Sequence, residues 1–217
     1  MKFVTIITPC QKRCVEYFSD VSSSINYRYV WKWIVVLGGI VPNTVMTSYL
    51  QANGGDVDYV LAKHDSTSGN VLRNVGLQHA FAQPAHVHDY IYYLDDDNVV
   101  HPSFWSVIYD EYLARRIEPS IFLFDACRGG QRFRAQCLIN HVDTAQFMVA
   151  KTMSSNWTLE YTADGQYIQS KCKETSSVVY IHTIIAYYNA LHNIPDCSPN
   201  NTSRCQRRYS SNCHVNR

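Results

Sequence analysis

Three consecutive carboxylates, Asp95, Asp96 and Asp97, directly follow the aromatic and aliphatic run Tyr90-Ile-Tyr-Tyr-Leu94. The run has the length and composition of a buried strand. Adjacent acids repel one another, and at the end of a core strand they also lose hydration. A hard divalent cation with oxygen ligands, Mg²⁺ or Mn²⁺, relieves both costs, and held on one or two carboxylates it keeps open positions for the phosphates of a substrate. The alternative at this point is a solvated acidic turn, with Asn98 capping the helix that follows.

The segments that must position these acids alternate along the chain. Phe3 to Thr8 reads as a strand closed by Pro9, then Gln11-Lys12-Arg13 leads into a polar helical stretch reaching about Ser24. Trp33 to Leu37 is the second strand expected, broken by Gly38-Gly39, and Thr44 to Ala52 is a helix stopped by Asn53-Gly54-Gly55. Asp58 to Ala62 gives a third strand and Leu72 to Ala82 a helix with Arg73 and Asn74 near its start. After the acidic triplet, Pro102 to about Arg115 has helical periodicity. The second half is less regular. Ile121 to Phe124, Ala145 to Ala150 and Ser177 to Ile181 are strand candidates, the last ending at His182-Thr183. Arg128 to Arg134 reads as a basic loop and Ala163 to Lys171 as a helix. Strands alternating with helices imply an α/β fold with a mixed, mostly parallel sheet flanked by helices, and ligands of such sheets gather at the carboxyl ends of strands.

Composition sets the outer limits. A chain of 217 residues, 46% hydrophobic and 17% charged, can bury a substantial core. The formal net charge of +1 gives no reason to expect nucleic acid. The apolar N-terminal run stops at Thr8-Pro9, shorter than a signal-peptide core and far shorter than a membrane span, so a soluble cytoplasmic protein is expected. No pair of the eight cysteines has zinc-ribbon spacing; Cys197, Cys205 and Cys213 recur in a polar tail and hint at a disulfide or metal framework. Asn156, Asn200 and Asn201 match the glycosylation acceptor pattern, which carries no weight without secretion. Residues 1–194 are expected to form one domain and 195–217 a tail or linker, with further domains C-terminal to it.

Six motifs in order resemble the nucleotide-sugar glycosyltransferases of the GT-A fold, most closely the animal glucuronyltransferases of proteoglycan synthesis. They are Ile7-Thr8-Pro9-Cys10-Gln11-Lys12-Arg13, Trp33-Ile-Val-Val36, Leu72-Arg73-Asn74, Asp95-Asp-Asp-Asn98, Val142-Asp143-Thr-Ala-Gln-Phe-Met-Val149 and Tyr180-Ile-His182-Thr183. A smaller resemblance is to compact glycosyltransferases encoded by large algal viruses. The second strand departs from the pattern: the Glu-Asp pair that reads uracil in the family is Leu37-Gly38-Gly39 here, leaving Asp56, Asp58 or Asp65 as substitutes.

The resemblance implies sugar transfer from a nucleoside-diphosphate sugar, a UDP-sugar by analogy, to a glycan or glycoprotein hydroxyl, with Mn²⁺ or Mg²⁺. Asp97 would ligate the metal, Asp96 contact ribose or a metal-bound water, and Asp95 orient the others. Thr8 and Pro9 would line the donor site, Arg13 and Arg73 would meet the diphosphate or base, and Asp143 would receive donor-sugar hydroxyls. His182 would contact the diphosphate or ligate the metal. Asp164 would be the general base of an inverting displacement, with Glu160 as rival and a plain helix N-cap as the structural alternative. Two other classes compete. A nucleotidyltransferase acting on sugar phosphates would also use strand-end acids, but Thr8-Pro9-Cys10-Gln11 lacks its glycine-rich loop. A glycan-binding module on the same fold would need no base.

Overall fold

The computed structural model describes residues 1–11, 14–53, 56–63, 68–83, 89–115, 118–128, 130–188 and 191. Arg13, Asp65 and the expected tail 195–217 lie outside them.

Val-, Ile- and Tyr-rich runs form the first half of the sheet: β1 (Val4–Cys10), β2 (Val30–Gly38), β3 (Val57–Ala62) and β4 (Tyr90–Tyr93), all parallel in the order β3-β2-β1-β4. Each crossover is a helix: α1 (Cys14–Ser23), α2 (Thr44–Asn53) and α3 (Asn70–Ala82). Parallel strands buried on both faces read as nearly continuous apolar runs, and β1 is buried at all its seven positions.

The second half turns the sheet. β5 (Val99–Val100) and α4 (Phe104–Leu113) follow the acids, then β6 (Ile121–Arg128), β7 (Gln131–Phe133), β8 (Phe147–Ala150), α5 (Ala163–Glu174) and β9 (Val178–Tyr187). β8 inserts antiparallel between β4 and β6, and β9 lies parallel to β6 and antiparallel to β5. The mixed α/β architecture expected from the sequence is what forms.

Two apolar layers clamp the sheet. One packs Phe18 of α1, Met46 of α2 and Phe104 and Ile108 of α4 against Val35, Tyr92 and Phe124; the other packs Leu72 and Leu77 of α3 and Tyr167 and Ile168 of α5 against Ile7, Val36 and Tyr93.

Several boundaries differ from the sequence reading. β1 runs through Pro9, which the pairing explains. The Ile7 carbonyl accepts from Leu94 N–H on the β4 side, and β4 pairs no farther, so the missing N–H of Pro9, on that same side, forfeits no ladder bond. The basic loop is a hairpin, β7 folding back on β6 around Gly130 at φ 82°. Thr144–Gln146 is a 3-10 turn ahead of a shorter β8. β9 continues to Tyr187, absorbing a register break between Ile181 and Ile184, and does not end at His182.

α3 lies close on the sheet because two glycines permit it. A Cβ on Gly76 would meet Ile7 Cγ2 at 2.5 Å and Val36 Cγ2 at 3.0 Å, and one on Gly38 would meet Leu72 Cδ1 at 2.7 Å. An exposed helical Gly→Ala change gains about 1 kcal/mol in propensity, whereas overpacking a tight core costs about 1–3 kcal/mol. Gly76→Ala is therefore expected to lower the thermal midpoint; a raised midpoint in calorimetry would show that α3 can lift off the β-branched residues beneath it.

Candidate active site

β1 and β4 end on one edge of the sheet, and the antiparallel β8 begins there. That edge collects the acids: Asp95 to Asp97 after β4, Asp143 just before β8, and Asp164 in the first turn of α5.

Asp95 is held from two sides. Both its carboxylate oxygens accept from Nη2 of Arg73, at 2.6 and 2.8 Å, and Thr144 Oγ1 donates to Oδ2 at 2.7 Å. Arg73 is itself buried, 5% exposed, with Nη1 donating to Asn70 Oδ1 at 2.7 Å and to the Ser68 carbonyl at 3.1 Å. Its guanidinium lies 4.9 Å from the Trp157 ring centroid. The sequence reading had Arg73 facing a diphosphate or base; the structure makes it the internal counter-ion of Asp95.

The same helix turn fixes the segment that carries the separate acid. Asn74 both accepts from Trp157 N–H at 2.7 Å and donates to its carbonyl at 3.1 Å, and Asn70 Nδ2 donates to the Glu160 carbonyl at 3.0 Å. Trp157, 3% exposed, stacks on Tyr167 at 4.6 Å and meets Tyr93 edge-on at 4.8 Å, so it is core, as is Trp105. Beyond it the chain turns into α5, whose N-cap is Thr162, and Asp164 is the second helical residue. Asp164 is thus no plain N-cap. Glu160, its rival, is exposed and accepts from Gln166 Nε2 at 2.6 Å. Gly165 brings α5 onto the turn below: a Cβ there would meet Ile139 Cα at 2.6 Å and Asn140 N at 3.1 Å, and Asn140 sits at φ 66°.

Electrostatics separates the acids. Burial raises Asp164 above the ordinary carboxylate range, with Asp95 adding to the rise and Arg73 opposing it. Asp143, 8% exposed, is pushed well up by burial and by repulsion from Asp95 and Asp164, against the bond from Ala145 N–H at 3.0 Å and the charge of Arg73; Thr144 Oγ1 lies 3.2 Å from its Oδ1. Asp96 is pushed up to about 7, first by burial and then by Asp97 and Asp95, although Gln11 N–H donates to it at 3.0 Å. Crowded oxygens that resist ionisation fit a hard cation, whose charge would restore their anionic form.

The remaining expected residues are placed as follows. Thr8 is buried and accepts from Trp33 Nε1 at 2.9 Å, while a Cβ on Gly69, the left-handed residue (φ 86°) before α3, would meet Pro9 Cβ at 3.3 Å. Asp56 pairs with Lys2 at 2.5 Å, and Asp58 with Lys32 at 3.2 Å and His79 at 3.0 Å. Both stand at the start of β3, at the opposite end of the strands from the edge that carries the acids. His182 is exposed, stacked on Tyr180, its carbonyl accepting from Arg132 Nη2 at 2.7 Å. The residues after the triplet meet β9 at Tyr187, opposite Val99. His182 lies five positions upstream of it, at the register break of β9. Asp125 was missed in the sequence: 2% exposed on β6, it accepts from Arg132 Nε at 2.7 Å and Ala135 N–H at 3.2 Å.

Neither a protein-family model nor a curated protein sequence matches the chain. Solved structures do match in fold. Residues 1–349 of TarS from S. aureus superpose with a TM-score of 0.64 at 11% identity, covering 88% of this chain and 61% of that one. TarS in complex with UDP-GlcNAc gives a TM-score of 0.62 at 12% identity, over 98% and 66%. The mannosyltransferase PcManGT from Pyrobaculum calidifontis, in complex with GDP-Man and Mn²⁺, gives 0.58 at 10% identity, over 86% and 56%. The chain thus spans about three fifths of the first of these, and the fold is that of GT-A nucleotide-sugar glycosyltransferases.

The strain at Asp143 has a measurable consequence. A carboxyl whose folded pKa is raised costs stability at any pH above its unfolded value of about 3.9 and costs nothing below it. Asparagine caps as well as aspartate and keeps the accepting oxygen. Asp143→Asn is expected to raise the thermal midpoint at pH 7, each 1 kcal/mol giving about 2–4 °C in a chain of this size, and the gain should vanish near pH 3. An unchanged or lower midpoint at pH 7 would mean that Asp143 is stabilised as an anion.

Proposed function

We propose that this chain is a divalent-metal-dependent, inverting glycosyltransferase that moves a sugar from a nucleoside-diphosphate donor, a UDP-sugar in the first instance, to a hydroxyl of a glycan or glycoprotein. The observation that carries this reading is a division of carboxylates at one sheet edge. A triplet ends β4, and a separate acid on α5, Asp164, is raised by burial and tied to the triplet through Arg73 and the Trp157 segment. The solved complexes of TarS with UDP and UDP-GlcNAc, and of the mannosyltransferase with GDP-Man and Mn²⁺, support the donor class and the metal. The motif order over residues 3 to 183 favours the animal glucuronyltransferases as the nearer guide to the donor pocket, with the compact algal-virus enzymes a smaller resemblance.

Asp97 would hold Mn²⁺ or Mg²⁺, with Asp96 on ribose or a metal-bound water, and a bound ion would supply charge neutralisation for the leaving diphosphate. Asp95 and Arg73 act as positioning residues. Arg13 keeps its place in the proposal as a diphosphate ligand, and Thr8 and Pro9 shape the floor where β1 ends. Asp143 would receive donor-sugar hydroxyls. Asp164 accepts the acceptor's hydroxyl proton while that oxygen attacks the anomeric carbon; the bond from that carbon to the diphosphate breaks, and its electron pair leaves with the phosphate. Among the described residues no second acid is set apart as a nucleophile, which favours a single displacement. His182 is left without a role in the step.

Among the described residues no helix is long and apolar enough to cross a membrane. Cys10–Cys14 and Cys137–Cys172 are disulfide-bonded. Such bonds persist in oxidising compartments and are rare in the cytosol, which favours an oxidising compartment over the cytoplasm expected from the sequence.

Two experiments test the reading. Asp164→Asn should keep UDP and Mn²⁺ affinity and lose transfer by about 10²-fold or more. Because the base must be ionised and burial raises its pKa, the wild-type rate should fall as pH drops through a value above the usual carboxylate range, and the variant should lose that limb. Retained anomeric configuration in the product, or wild-type transfer by the variant, would redirect attention to Glu160. Separately, calorimetry with UDP and GDP should show binding that requires Mn²⁺ and collapses in Asp97→Asn; equal affinity in EDTA would sink the metal assignment.

A further inference from the structure

Cys10 is the last residue of β1 and Cys14 the first of α1, and the disulfide between them closes a five-residue ring in the chain. Inside that ring, Gln11 N–H donates to Asp96 at 3.0 Å. Both cysteines are buried, and their two sulfurs and a carboxylate oxygen of Asp96 lie within 4.8 Å of one another. Nothing in the transfer reaction uses the sulfurs.

We propose that Cys10, Cys14 and Asp96 form a second metal site, specific for a thiophilic divalent cation such as Zn²⁺ and open only when the Cys10–Cys14 bond is reduced. The chemistry follows from the ligands. Thiolate and carboxylate together suit Zn²⁺ or Cd²⁺, whereas the all-oxygen set around Asp97 suits Mn²⁺ or Mg²⁺. In a tetrahedral site with Zn–S of about 2.3 Å the two sulfurs stand about 3.7 Å apart, a separation that breaking one bond can supply without moving β1. Cys14 at the first position of a ten-residue helix gains thiolate character from the helix N-terminus. The redox step balances with a dithiol: two electrons and two protons pass to the cystine, the dithiol closes to its own disulfide, and metal binding then releases the two thiol protons. If the triplet serves the donor as proposed above, a cation here withdraws Asp96 from it, so reduction in the presence of zinc would silence transfer.

Cadmium reports the site directly, because only thiolate ligation gives its ultraviolet charge-transfer band. The full chain is reduced with a dithiol, desalted without oxygen and titrated with Cd²⁺ beside Cys10→Ser/Cys14→Ser, which subtracts the other cysteines. One additional equivalent in the reduced wild type, not seen in the oxidised protein, is expected. Asp96→Asn should bind that equivalent at least about tenfold more weakly, since loss of even an outer-shell partner has that effect. The same stoichiometry in wild type and double variant, or undiminished affinity in Asp96→Asn, overturns the proposal. Should the double variant fail to fold, Asp96→Asn alone decides, and as the band needs neither donor nor turnover, the result stands apart from the transfer reading.

Discussion

The ion pair between Arg73 and Asp95 is the constraint on which the rest of this edge depends. A guanidinium 5% exposed cannot stay charged without a partner, and Asp95 supplies both oxygens. Losing one member of such a pair costs about 3–5 kcal/mol because the other charge is stranded. The pair also has directional consequences. Arg73 is fixed by Asn70, Ser68 and the face of Trp157, so the position of Asp95 is dictated by α3 and the 157–160 segment as much as by β4.

Three polypeptide segments remote in sequence therefore converge through one helix turn. Asn70 and Asn74 anchor the backbone leading to α5, Thr144 ties the turn before β8 to Asp95, and Gly76 lets the helix settle onto Ile7 and Val36. Most of these bonds join a side chain to a backbone group. They fix geometry without adding net charge, which suits a site whose function would be to receive an anionic donor.

Much of this architecture was legible in the sequence. Tyr90 to Leu94 announced a buried strand, the acids after it marked a sheet edge, and the alternation of apolar runs with helical periods specified the parallel half. The antiparallel half was harder to read because its strands are short and defined by partners. β7 exists only as a return against β6, and β9 carries a register break that hid its continuation behind His182-Thr183. Arg73 was found as a residue of interest, but its pairing with Asp95 was not foreseen, since a sequence shows a cation and not which carboxylate neutralises it. Asn74 stood beside it in the same motif; its clamp on Trp157 spans 83 positions, a separation that no local pattern encodes. The place of Asp58 was hidden for a simpler reason: the register that sets it near the start of β3, opposite Ile34, is a pairing with β2.

The contact under Gly165 bears on how such a protein could diversify. The helix carrying Asp164 rests backbone to backbone on the Ile139-Asn140 turn, with no side chain between them to act as a spacer. Insertions or deletions in that turn would be transmitted undamped to the helix. The exposed Leu138 and Ile139 can vary in side chain at little cost, yet the length of their loop is bound to the position of α5. Lineages elaborating this scaffold, and engineers recombining its loops, would thus find sequence variation permitted there and length variation forbidden.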